Sequence, residues 1–116
     1  MKVRTLENRE QFVLFEVTFE PEDKEPVIVA LRDNVSKMFV NKDIEGLRKE
    51  LRIVEEDLAY RTEQAADTAK EVDLLRCSAT QGQMLDSIDE LEDHLMWVKK
   101  YTKLMIALKA ALYILE

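Results

Sequence analysis

One histidine, His94, and one cysteine, Cys77, are the side chains best suited to nucleophilic chemistry in this 116-residue chain. A nucleophile and its base must lie within hydrogen-bond reach. The helical pattern developed below sets these two many layers apart, which excludes that pairing. His94 lies beside Glu90 and Asp93, where the expected state is a solvated or locally paired imidazole, since a metal site would need further ligands from another chain. No glycine-rich phosphate loop, G-x-S-x-G elbow, cysteine pair or H-E-x-x-H occurs. The sequence therefore predicts no catalytic residues, no metal, no cofactor and no enzymatic activity.

Carboxylates are the densest chemistry on offer. Asp86, Asp89, Glu90 and Asp93 follow the i, i+3, i+4, i+7 spacing that gathers side chains on one helix face, with Glu92 beside them. Such a cluster solubilises a helix, and it can also dock a basic protein surface. It lacks the D-x-D-x-D-G pattern of a calcium loop. A second group joins Tyr60, Arg61, Trp97 and Tyr101. An arginine among aromatic rings is either a stem packed between helices with a stacked head, or a pocket for an anionic, planar, nucleotide-like ligand at a subunit interface. Lys99, Lys100 and Lys103 are expected to balance Glu55, Glu56 and Asp57 across the same hairpin.

These groups need elements to hold them. From Gln11 to Glu20 apolar side chains alternate at Val13, Phe15, Val17 and Phe19, the signature of a half-buried strand. Pro21 and Pro26 interrupt it, and Val27 to Leu31 resumes strand composition, so a β-hairpin is expected. Lys2 to Leu6 suggests a third strand and Met38 to Val40 a short fourth element. Asn41 is expected to cap a following helix, with Asp43 and Glu45 near its positive end. Within that helix Ile44, Leu47, Leu51, Val54, Leu58, Arg61, Ala65, Thr68, Val72 and Leu75 advance in steps of three and four, a coiled-coil seam about 50 Å long.

Cys77 to Gln83 is small and polar and contains Gly82, which predicts the reversal. A second helix then carries Met84, Ile88, Leu91, Leu95, Val98, Met105 and Leu112. If the chain folds back near Thr80, facing residues have numbers summing to about 160, and the two stripes match: Val72 with Ile88, Ala65 with Leu95, Arg61 with Val98, Val54 with Met105. The second helix also carries a surplus stripe, Leu104, Leu108, Ala111 and Leu115, which is expected to mediate self-association into a homodimer or higher oligomer.

The expected fold is thus α+β: an N-terminal antiparallel hairpin or meander of two or three strands, then a long antiparallel two-helix coiled-coil hairpin. One domain of residues 1–116 is expected, with a small sheet over 1–40, the hairpin over 41–116 and the turn near 77–83. Seventeen basic against 24 acidic residues give a net charge of −7, spread without a basic arm, which disfavours direct nucleic-acid binding. No apolar run reaches the roughly 20 residues of a membrane span, and a lone cysteine behind a polar opening fits a reducing cytoplasm. Together these features predict a non-catalytic, acidic protein–protein interaction module, an oligomeric adaptor or inhibitor whose partner bears a basic surface. Small acidic regulators of this profile are common among mobile-element and viral gene products. The alternative is a small-molecule sponge or sensor with a nucleotide-like anion between subunits.

Overall fold

A computed structural model describes residues 1–19, 25–75 and 80–116. The elements run β1 (Lys2–Arg9), β2 (Phe12–Thr18), β3 (Val27–Arg32), α1 (Asp33–Val40), α2 (Ile44–Leu75) and α3 (Gln81–Leu115). By contacts they form two compact units, Met1–Val54 with Lys103–Glu116, and Glu55–Thr102. The division falls within the two long helices, not between residues 40 and 41.

In the first unit three antiparallel strands lie in the order β1-β2-β3. Alternation along β2 sends Val13, Phe15 and Val17 to a fully buried face, joined by Val29 and Leu31 of β3. Its other face is mixed, with Phe12, Leu14 and Ala30 half-buried and Ile28 exposed beside the polar side chains. There Arg4 pairs with Glu16 directly across the ladder at 3.0 Å, and Arg32 lies over the Phe12 ring. Phe19, expected in the strand face, lies beyond β2 and is exposed.

Met38 to Val40, expected as a short fourth element, is the end of helix α1. Val35, Met38 and Phe39 lie three and four apart, and Phe39 meets Phe15 edge to face at 5.2 Å. Ser36 is buried, its hydroxyl 2.8 Å from the Glu10 carbonyl and 2.7 Å from the Asp33 carbonyl, one proton shared by two acceptors. Helix α1 ends in a Schellman turn: Asp43 N–H donates to the Met38 carbonyl, Lys42 N–H donates to that of Phe39, and Lys42 takes the left-handed φ of 58° usual for glycine. Asn41 is therefore spent as the C-cap of α1, and Asp43 caps α2 by accepting from Gly46 N–H at 3.0 Å. The cap lies two residues later than the sequence suggested. A side chain at residue 46 would occupy the place of the Asp43 carboxylate, which is why glycine fits there.

Helices α2 and α3 pack together as a hairpin. In the first unit Leu47 and Val54 of α2 are buried, and so are Ala107, Leu108, Ala110, Ala111 and Leu112 of α3. Burial on so many sides of one helix requires neighbours beyond α2, and the small alanines permit their close approach. Of the surplus stripe, Leu108 and Ala111 are wholly inaccessible within a single chain, whereas Leu104 and Leu115 are half-buried.

Part of the reversal expected over 77–83 is helical instead. Residues 76–79 lie outside those described, Cys77 among them, and Gln81 to Gln83 already belong to α3. Thr80 caps it with a reciprocal pair: Gln83 N–H donates to Thr80 Oγ1 at 3.3 Å, and Thr80 N–H donates to Gln83 Oε1 at 3.2 Å. This capping box starts the helix through Gly82.

Candidate functional site on the helical hairpin

Among its described residues the second unit, Glu55–Thr102, consists of parts of α2 and α3. On α2 its inward positions are those expected: Leu58, Arg61, Ala65, Thr68 and Val72 are buried or half-buried. On α3 the seam differs. Ser87 is buried and Leu91, His94, Val98 and Tyr101 are half-buried, whereas Leu95 is 51% exposed. From Leu91 to Val98 both routes, through residue 94 or 95, satisfy heptad spacing, and the requirement of Arg61 for a polar partner in the seam selects His94.

Arg61 Nη1 lies 3.3 Å from His94 Nδ1. A guanidinium has only donors, so Nδ1 accepts and the imidazole proton sits on Nε2. Nε2 is 3.6 Å from Glu90 Oε1, one helical turn back. The His94 side chain is 13% exposed, so this is an enclosed polar layer in the seam, and of the two states expected for His94 the structure has the locally paired one. Arg61 also stands over the Trp97 ring, 5.2 Å from its centroid, and Lys100 Nζ lies 4.7 Å from that centroid. Lys100, expected to answer carboxylates across the hairpin, is thus engaged with the indole. Trp97 in turn stacks on Tyr101 at 5.6 Å and 29°.

Arg61, Trp97 and Tyr101 therefore come together as foreseen. Tyr60 does not join them in a cavity; it is 59% exposed. His94, expected as a solvated or locally paired imidazole and not as part of this group, joins it. Its i+4 spacing from Glu90 and its alternative heptad phase were the signals available.

The hairpin has two unlike sides. In an antiparallel helix pair, positions preceding the seam on both helices share one side, and positions following it share the other, because the sense of rotation is the same along each chain. Preceding the seam are Asp57, Asp67 and Glu71 of α2 and Asp86, Glu90 and Asp93 of α3, all exposed, together with Tyr60, Trp97 and Lys100. Asp89 extends this acidic side onto the back of α3 and is exposed as well. The expected docking residues Asp86, Asp89, Glu90 and Asp93 thus form one accessible arc. Following the seam are Ala59, Thr62, Ala66 and Ala69 of α2 and Leu85, Ile88, Leu95 and Thr102 of α3, a side without charge save for Glu55, Asp73, Glu92 and Lys99. An apolar depression of about 310 Å³, lined by Gln81, Met84, Leu85 and Ile88, opens at its α3 N-terminal end.

Among the described residues no group of three or more His, Cys, Asp and Glu side chains is placed to hold a metal ion, and no helix is long and apolar enough to cross a membrane. No protein family, curated protein or solved structure matches the chain.

Proposed function

We propose that this chain acts without catalysis, as an oligomeric adaptor or inhibitor that docks its acidic hairpin side onto a basic surface of another protein. The observation that carries this reading is the placement of six carboxylates on one side of the two-helix unit, with Asp89 beside them and all of them exposed. Such a field steers a basic partner and sets its orientation. Trp97 and Tyr60 lie on the same side and supply the aromatic anchors that interfaces favour.

The ligand-binding alternative draws on the cations around Trp97. Against it, Arg61 and Lys100 each stand over the indole, Tyr101 stacks on it, and Arg61 is also engaged with His94. A planar anion would have to displace these contacts before it could stack.

The test is affinity capture followed by cross-linking, with two charge reversals compared. Asp89→Lys with Glu90→Lys alters the proposed face, and Glu7→Lys with Glu10→Lys reverses two charges on the sheet. The partner should be retained by native protein and by the sheet variant, and lost with the hairpin variant. Equal recovery by both variants would reject the acidic side as the docking surface.

A further inference from the structure

We infer that the apolar side of the second unit is a homodimer interface, in which α3 packs antiparallel against α3 of a second copy about a two-fold axis beside Leu95. This deepens the oligomer named above and moves its interface away from the stripe of Leu104, Leu108, Ala111 and Leu115.

Four observations carry it. The first is that the second unit lacks an interior: among its described residues only Ala65, Thr68 and Ser87 are buried, all of them small, while every large apolar side chain keeps contact with water. Fewer than about 50 residues in two helices do not bury enough surface to stand alone, and packing two such hairpins into four helices is the common remedy. Secondly, the side following the seam offers the missing layer. Leu85 and Leu95 are 59% and 51% exposed on α3, and Ala59 and Ala66 are exposed on α2.

The third observation concerns the polar atoms on that side. Thr62 Oγ1 donates to the Leu58 carbonyl and Thr102 Oγ1 to that of Val98, each at 2.7 Å. Both hydroxyls are satisfied within their own helices, so an apolar partner covering this side strands neither.

Charge supplies the fourth and selects the geometry. Glu92 and Lys99 flank Leu95 on the same face, three residues before it and four after. A two-fold axis perpendicular to α3 beside Leu95 sets Glu92 of each copy opposite the partner's Lys99, twice by symmetry. Through the register fixed by Arg61 and Trp97, the same axis passes beside Thr62 and places Ala59 over the partner's Ala66, where methyl side chains let the α2 helices approach closely. The other symmetric arrangement, with the axis along the helices, lays α3 on the partner's α2 and leaves Glu92 among alanines without a counter-charge. In the antiparallel arrangement both acidic sides stay outward and available.

The experiment is sedimentation equilibrium of the full chain from about 1 to 100 µM, with helix content followed by circular dichroism. Native protein should have twice the 13.6 kDa mass of the chain. Leu95→Glu should retain its helix content and sediment as a monomer. Glu92→Lys and Lys99→Glu should each weaken the dimer by roughly tenfold or more, through two lost attractions and two new repulsions, and their combination should restore it. A native chain that stays monomeric, a dimer indifferent to Leu95→Glu, or a double charge swap no tighter than either single would overturn the inference. Asp89→Lys with Glu90→Lys should leave the mass unchanged, so a failure of docking and a failure of dimerisation are read separately.

Discussion

Replacing Arg61 and His94, singly and together, by leucine tests whether the polar layer of the hairpin is a matched pair. Arg61→Leu forfeits a hydrogen bond contributing about 1 kcal/mol and a cation–π contact contributing about 0.5 to 1 kcal/mol. It also leaves the enclosed Nδ1 of His94 without a donor, at a cost of about 1 kcal/mol. Against these, leucine adds about 1 kcal/mol of apolar burial, since the arginine stem already packs in the seam. The single variant should therefore lose about 1 to 2 kcal/mol. In the double variant both polar groups are gone and two leucines complete the seam, so it should gain about 1 kcal/mol over native. The single Arg61→Leu and the double variant then differ by about 2 to 3 kcal/mol, and the His94→Leu single completes the cycle that gives the coupling. Urea unfolding at fixed protein concentration measures it, with Trp97, the only tryptophan, reporting on this unit and circular dichroism on all helices. At a slope near 2 kcal/mol/M, the single and double variants should separate by about 1 M in midpoint. If Arg61→Leu alone is as stable as the double, the contacts to His94 and Trp97 contribute nothing and the layer is not a pair.

Two further outcomes follow from local geometry. Asp43→Ala should cost about 1 kcal/mol by removing the cap of α2. Gly46→Ala should be nearly neutral in the native chain, because it displaces that cap, but should regain about 1 kcal/mol of helix propensity in the Asp43→Ala background, and thermal denaturation of the four chains reads the difference. Leu108→Glu should unfold the first unit by placing a charge in a fully buried position, with loss of circular dichroism, where Leu95→Glu only dissociates the dimer. A folded Leu108→Glu monomer would show that the surplus stripe is a surface after all.

Much of the architecture was legible because two periodicities are strong. Val13, Phe15 and Val17 could only alternate as a strand, and the ten-residue seam from Ile44 to Leu75 could only be a helix. What failed was local competition. Met38-Phe39-Val40 has strand composition, but over eight residues the contact of Phe39 with Phe15 and the Ser36 hydrogen bonds decide in favour of helix. Asn41 and Asp43 are both good caps, and the Schellman turn at Lys42 assigns one to each helix. Thr80-Gln81-Gly82-Gln83 spells a capping box, yet its glycine reads as a turn. The surplus stripe was visible as apolar surface, but periodicity reports that a face is buried and not what covers it.

The least legible feature, the phase of α3 between His94 and Leu95, also determines what each side of the hairpin presents. With Leu95 in the seam, His94 would precede it on the acidic side, Arg61 would face an apolar layer with no acceptor, and the apolar side would lose its central residue. With His94 in the seam, Arg61 has its acceptor and its aromatic cover, Glu90 backs the imidazole, and Leu95 turns outward between Glu92 and Lys99. A polar residue in a coiled-coil seam fixes register at some cost in stability. Here the register so fixed gathers six carboxylates on one side and sets Leu85, Leu95 and the α2 alanines on the other, and the proposed docking and dimer faces both rest on that division.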